Sequence, residues 1–366
     1  MTTPITGVVT TKKRINPLGR DRYILVCHDA DEARGAYAAK ICCDKPNGIE
    51  TNAVMVKSIA EFSDGDVVTI YPDGRILFNY EINSVHNALF LTGRCNHRCI
   101  MCPQPPVVEE KNMTPFNLRL ISLLDKQTSE IGITGGEPTL IGDDLFLIIR
   151  KLKERLPDAA VSILTNGVRF ADDAYAQKLA NCNHRKLQID IPIFSDIATE
   201  HNAIVGANTF YKTVQGLYNL ALYRQQIGLR IVVHKQTYKR LPMLADYIYH
   251  NFPFVNQIAF MQMETIGFAE DNIEKLWIDP ADYNDELSKA VNLLNMRGLK
   301  PFIYNAQLCV LPKHLREYAV QSISDWKDVY LNKCEGCSLR SKCGGFFSAN
   351  RKYISRMISP IKSIGE

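Results

Sequence analysis

From His86 onward one pattern recurs along the sequence: an apolar strand, a polar loop and an amphipathic helix. "NALFLT" leads to "TPFNLRLISLLDK", "EIGIT" to "DDLFLIIRKLKERL", "AVSILT" to "DDAYAQKLA" and "KLQIDIPIF" to "FYKTVQGLYNLALYRQQI". "LRIVVHK" then leads to "LPMLADYIYHNF", and "NQIAFMQ" to "PADYNDELSKAVNLLNMRG". About six such pairs predict a parallel sheet covered by helices and closed, at least in part, into a barrel. Thr114 is the expected cap of the first helix, with Pro115 in its first turn. In such a barrel the working residues lie on the loops that follow the strands.

The fold class expected is α/β: a partial (β/α)6 TIM-like barrel over residues 86–300. A small α+β module precedes it over residues 1–85, and a cysteine-rich extension follows over residues 301–366. In the first module, "DVVTIYPDGRILFNY" reads as a hairpin about a Pro-Asp-Gly turn, "RYILVCHD" as a strand and "DEARGAYAAKI" as a helix.

Composition narrows the function classes. At 366 residues and 46% hydrophobic content the chain can bury a full core. The formal charge of +4 comes from 43 basic and 39 acidic side chains mixed along the sequence. There is no strong electrostatic case for a nucleic-acid or acidic-lipid partner. "MTTPITGVVTTKKR" lacks the apolar core of a signal peptide, and no apolar run approaches the roughly 20 residues of a membrane helix. A cytoplasmic enzyme is the expectation.

Eleven cysteines in such a chain point to metal or redox chemistry rather than to structural disulfides. "RCNHRCIMCPQ" sets Cys95, Cys99 and Cys102 in the order Cys-x3-Cys-x2-Cys. Cys334, Cys337 and Cys343 form a second group, with Cys309 upstream as its fourth member. Cys27, Cys42, Cys43 and Cys182 read as buried or incidental thiols. A four-iron cubane wants a thiolate or a substitute at each iron, so three cysteines leave one iron open to chelate a small molecule. The alternative is a structural zinc site completed by His97.

The cysteine loop after the first barrel strand and "GGEP" after the second together resemble the radical S-adenosylmethionine (SAM) superfamily, over roughly residues 86–300. The resemblance implies that Cys95, Cys99 and Cys102 hold a [4Fe-4S] cluster whose open iron binds the amine and carboxylate of SAM. It implies reductive cleavage of SAM to a 5′-deoxyadenosyl radical that abstracts hydrogen from the substrate. Gly135, Gly136, Glu137 and Pro138 match the loop that meets the methionine amine. Met101 takes the place of the usual aromatic residue near the adenine. Asn166, Gln188 and Asp190 are candidate ribose or carboxylate partners, with barrel-lining structural polars as the competing reading. Gly267 either borders the adenine or makes a turn.

The second cysteine group resembles the SPASM or twitch extension of radical SAM enzymes that modify peptides. That implies a second [4Fe-4S] cluster on Cys309, Cys334, Cys337 and Cys343, with a four-cysteine zinc site as rival. "CNHRCIMCPQPP", "GITGGEPTL", "LCVLPKHLR", "SISDWKDVY" and "CGGFF" together resemble the C-type radical SAM maturases of His-Xaa-Ser repeat peptide systems. The implied substrate is a ribosomally made precursor peptide. The implied partners are a low-potential electron donor such as a flavodoxin or ferredoxin, and a second radical SAM maturase. A radical SAM enzyme acting on a nucleotide or RNA is the alternative, and a zinc-stabilised binding protein a further one. His97, His201 and His234 read as structural. Asp196, His201, Tyr304 and Gln307 are candidates to line a substrate channel. The N-terminal module is expected to recognise the peptide by strand addition.

Overall fold

The structure is a computed structural model that describes residues 2–12, 20–29, 37–44, 52–108, 111–321, 329–348 and 352–362. The chain divides into two compact units. One comprises residues 1–89, 112–132 and 147–160, the other residues 90–111, 133–146 and 161–366.

The first unit is built on a six-stranded mixed sheet. Its strands are β1 (Ile5–Thr10), β2 (Tyr23–Asp29), β3 (Ala39–Asp44), β4 (Ala53–Met55), β5 (Val67–Ile70) and β6 (Ile76–Tyr80). Their spatial order is β4-β3-β2-β1-β5-β6. β1 runs parallel to β2 and antiparallel to β5, and β5 and β6 form the expected hairpin. Its turn closes through Tyr71 N–H to Arg75 O at 2.8 Å. One face buries Val9, Ile24, Val26, Ile41, Val68 and Ile70. The other buries Leu25 with Cys27 and Cys42, so those two thiols are core residues. The described residues of the stretch expected as a helix, "DEARGAYAAKI", are not helical: Ala39 to Ile41 belong to β3, where β-branched and apolar neighbours favour a buried strand. Residues 31–36 of that stretch lie outside the described residues, as do residues 322–328 of "SISDWKDVY". Helix α1 (Thr114–Leu123) starts one residue earlier than a Thr114 cap would place it. Met113 is the cap and Thr114 the first helical residue, its N–H held by Asn112 Oδ1 at 2.8 Å.

The second unit carries most of the barrel sheet. β7 (Ala88–Phe90), β8 (Glu130–Thr134), β9 (Ala160–Leu164), β10 (Leu187–Pro192), β11 (Gln226–Val233), β12 (Gln257–Gln262), β13 (Pro301–Tyr304) and β14 (Ala319–Val320) stand side by side in chain order. The pairs from β9 through β14 are parallel. Sequential order with no reversal puts every crossover on one side, as in a barrel and unlike a doubly wound sheet. The sheet continues past the six strand–helix pairs through β13 and β14. The helices are α2 (Asp144–Arg155), α3 (Asp173–Ala180), α4 (Ala198–Val205), α5 (Phe210–Leu222), α6 (Leu241–Asn251), the short α7 (Phe268–Asp271) and α8 (Ile273–Leu276), and α9 (Asn284–Met296). α5 ends before the sequence pattern suggests, because Gln226 and Ile227 already belong to β11.

The two faces of this sheet differ in chemistry. Ile163, Ile189, Ile191, Ile227, Leu229, Ile231, Ile258 and Phe260 alternate along β9 to β12 and are almost fully buried. α5 packs on β11 and α9 on β13, which places this apolar face under the helices. Ser162, Gln188, Asp190, Arg230, Gln257 and Tyr304 take alternate positions beside apolar residues such as Leu164 and Met261, so the polar side chains of these strands gather on the inward face.

Candidate active site

The cysteine loop follows β7 and is clamped by four other segments of its own unit. The Gly-Gly-Glu-Pro turn after β8 lies against its start: Gly136 N–H donates to Thr92 O at 2.6 Å and Glu137 N–H to Arg94 O at 2.8 Å. A Cβ on residue 136 would stand 2.3 Å from Arg94 O, and one on residue 135 would stand 2.4 Å from Thr92 O. The close backbone approach expected of these glycines is therefore made, and its partner is the chain leading into Cys95. The end of α4 holds the middle, through Arg98 N–H to Val205 O at 3.0 Å and Ile100 N–H to Ile204 O at 2.9 Å. The turn after β12 holds the end, through Phe268 N–H to Cys102 O at 2.9 Å and Asn272 Nδ2 to Ile100 O at 3.1 Å. Gly267 thus caps the cysteine loop. The loop after β9 completes the clamp, with Asn166 Nδ2 donating to Asn96 Oδ1 at 2.6 Å.

Within this frame the three thiols act on one another electrostatically. Burial pushes Cys95 up to about 11, with smaller contributions from Glu137 and Cys102, and pushes Cys99 up to about 12, with Cys102 and Cys95 adding. Burial raises Cys102 as well. Three half-buried thiols with raised pKa become thiolates only beside compensating positive charge, such as that of iron. Cys95 Sγ accepts a hydrogen bond from His97 N–H at 3.4 Å, a contact that suits a ligating sulfur. Among the described residues, no three His, Cys, Asp or Glu side chains form a group fit to hold a single metal ion. A cubane does not require such a group, because each thiolate meets its own iron. The donor set fits a three-cysteine cluster. His97, the fourth ligand of the zinc alternative, is buried, neutral and engaged at Nε2 by Thr209 Oγ1 at 2.9 Å. Burial lowers its pKa to about 4.

Glu137 is 1% exposed, and protein donors surround its carboxylate. Oε1 accepts from Thr139 N–H at 3.0 Å, Thr139 Oγ1 at 2.7 Å and Thr165 Oγ1 at 2.6 Å, and Oε2 from Asn166 N–H at 2.6 Å. Desolvation raises its pKa despite these donors. The carboxylate thus ties the turn at Pro138, the loop after β9 and, through Asn166, the cysteine loop into one network. Met101 packs with Phe194, Ile204, Val205 and Met263 in an apolar cluster beneath the loop. Asp196 is held by a two-point ion pair with Arg240, at 2.9 and 2.5 Å.

On the inward face, Asp190 Oδ1 accepts from Gln188 Nε2 at 2.9 Å and Gln257 Nε2 at 3.4 Å. Asp190 and Gln188 therefore meet each other on the sheet face, on a different element from Glu137 and Asn166. Arg230 lies on the same face. Its Nε donates to Met261 Sδ at 3.3 Å, and burial lowers its pKa while Asp190 and Tyr304 oppose that shift. Motif reading of the sequence misses Arg230, Gln257 and Asn96, while Thr165 opens the Thr-Asn-Gly loop that it places after the third strand. For the first two the available signal is the inward register of their strands.

The second cysteine group converges. Cys309, Cys334, Cys337 and Cys343 line one cavity together with Leu308, Phe346 and Pro360. Two contacts bring distant segments there: Gln307 Nε2 donates to Gly345 O at 2.8 Å, and Val329 pairs with Phe346. Gln307 is thus a tether of this cavity. Burial raises both Cys309 and Cys343.

Residues 89–248 match the Radical SAM superfamily. The chain is 30% identical over 175 residues to the tungsten-containing aldehyde ferredoxin oxidoreductase cofactor-modifying protein of Pyrococcus furiosus, over 44% of this chain and 47% of that protein. It is 32% identical over 120 residues to the GTP 3′,8-cyclase of Campylobacter jejuni subsp. doylei, over 31% of this chain and 36% of that one. The matches thus span less than half of these relatives. Among solved structures it is similar in fold to hexahistidine-tagged anSMEcpe with bound AdoMet, at a TM-score of 0.51 and 15% identity, over 75% of this chain and 88% of that one. Native anSMEcpe with bound AdoMet and Kp18Cys peptide gives a TM-score of 0.50 at 14% identity, over 75% and 91%. Among the described residues, no helix is long and apolar enough to cross a membrane.

Proposed function

We propose, from the radical SAM domain over residues 89–248, that the chain is a radical SAM enzyme that modifies a ribosomally made peptide, with His-Xaa-Ser repeats as its substrate class. The observation that carries the reading is the cysteine loop: three thiols within electrostatic reach of one another, on a loop clamped at the end of a barrel strand. Cys95, Cys99 and Cys102 would hold a [4Fe-4S] cluster. When bound, that cluster supplies the electron that cleaves SAM to methionine and a 5′-deoxyadenosyl radical. The protein's own part is to bind, orient and exclude water. Gly135 and Gly136 fix the approach of the turn, Glu137 and Asn166 lock the loops around it, and the polar inward face is left for the reacting partners.

The peptide reading is supported by the fold shared with a peptide-bound relative and by the four-cysteine cavity, which we assign to a second [4Fe-4S] cluster within an extension over residues 301–366. The module over residues 1–85 is assigned to peptide recognition, with the outer strands β4 and β6 offering edges for strand addition. A low-potential donor such as a flavodoxin or ferredoxin in the cytoplasm would supply the electron, and a second radical SAM maturase would act on the same peptide. A second reading, a nucleotide-modifying radical SAM enzyme, is favoured by the similarity to GTP 3′,8-cyclases.

Anaerobic reconstitution tests the proposal. About eight irons per chain, with 5′-deoxyadenosine formed by the wild type and not by Cys99→Ala, is the expected result. Zinc without iron, and no SAM cleavage, would overturn it. Turnover of GTP in place of a His-Xaa-Ser peptide would establish the second reading.

A further inference from the structure

Arg230 is the one cation among the strand positions of β9 to β13 that share the inward face, and Asp190 is the one anion. The two do not form an ion pair. Asp190 spends Oδ1 on Gln188 and Gln257, and Arg230 spends only Nε, on Met261 Sδ. Among the described residues neither Nη group of Arg230 meets an acceptor. The residue is half-buried, and its two outer nitrogens are open to a ligand that enters from the inward face. Its geometry is that of a fork fixed at Nε and open at both Nη atoms, which matches a planar carboxylate at two points.

We propose that Arg230 is a substrate-binding residue that receives a carboxylate of the peptide, from an acidic side chain or the C-terminus, with Asp190, Gln188 and Gln257 setting the far wall of the subsite. The inference deepens the peptide-modifying reading and rests on it. Arg230 stands on β11, four strands along the sheet from β7 and the cysteine loop, and saturating SAM in the test separates a peptide carboxylate from the carboxylate of SAM. A triphosphate is a poor partner. Arg230, the one cation at these positions, can pair with one negative charge and leaves the rest of a triphosphate uncompensated beside Asp190.

The test is binding to the 366-residue chain, with and without saturating SAM, followed by ligand-observed NMR. The probes are acetyl-glutamate methylamide, its neutral glutamine counterpart, free-acid and amidated forms of acetyl-alanine, and sodium triphosphate. The glutamate probe is expected to bind roughly tenfold more tightly than the glutamine probe, with SAM leaving that ratio unchanged. Arg230→Gln should abolish the ratio, and Asp190→Asn should raise it by removing a repelling charge. Whether glutamate or free-acid acetyl-alanine binds better distinguishes a side chain from a chain terminus as the source. Equal binding of the charged and neutral probes to the wild type overturns the proposal, as does competition by SAM or preference for triphosphate. If Arg230→Gln fails to fold, the wild-type ratio and the Asp190→Asn increase still decide. Binding does not depend on SAM cleavage, so failure here is separable from failure of the enzyme reading.

Discussion

Asn166 and Asn96, 70 residues apart in the chain, share a hydrogen bond of 2.6 Å that joins the loop after β9 to the loop after β7. Asn96 follows the first cysteine directly, so the loop after β9 steadies the loop that carries the thiols. Asn166→Leu removes the donor and leaves Asn96 to water. The expected cost is about 1 kcal/mol of loop stability, read as faster iron release to a chelator from reconstituted protein. An unchanged release rate would show that the backbone clamps suffice.

Thr165 Oγ1 donates to the buried carboxylate of Glu137. Thr165→Val keeps the shape and deletes the donor, and a hydrogen bond to a charged buried acceptor is worth about 2 kcal/mol. The urea midpoint should fall accordingly, while Thr165→Ser should recover most of the loss.

His234 follows β11 and is 1% exposed, with Nδ1 accepting from Gln236 N–H at 3.2 Å and Nε2 without a partner among the described residues. Burial lowers its pKa to about 4, against about 6.5 in an unfolded chain. The folded state keeps the ring neutral while the unfolded state takes up a proton, so its stabilisation is complete above the unfolded value and is lost as pH falls toward 4. At pH 5 the loss from this residue is about 2 kcal/mol. Urea midpoints between pH 5 and 7.5 should slope less steeply in His234→Leu than in the wild type. Equal slopes would place the acid sensitivity elsewhere, His97 and His201 being depressed by burial to about 4 as well.

Gly228 lies beneath the carboxylate of Asp190: a Cβ there would stand 2.0 Å from Oδ1. Gly228→Ala must move Asp190 and break its bonds to Gln188 and Gln257. We expect a loss of about 1–3 kcal/mol in stability, measured by urea unfolding. A neutral result would mean that Asp190 has a second rotamer of equal energy.

The alternation of strands and helices is legible because each element repeats its own period, and the barrel follows from that order. Where a helix is expected over "DEARGAYAAKI", the residues from Ala39 onward form β3. Its alanines favour a helix locally, while pairing of Ile41 and Cys42 with β2 and β4 decides otherwise. In the site, Asn96 carries no motif of its own, and the Thr-Asn-Gly loop at Thr165 does not disclose its partner, since their roles rest on residues 70 and 28 positions away.

The sequence by itself determined the thiol spacing on a short loop, the glycines that let two loops meet, and the order of strands that puts both at one end of a sheet. These are local properties, carried by neighbours in the chain. Only the tertiary structure decided that Glu137 is enclosed by protein donors, that four distant cysteines share one cavity, and that Arg230 keeps two nitrogens free on the inward face. Each depends on strand register and burial, and a one-residue slip in pairing would turn every such side chain to the opposite face.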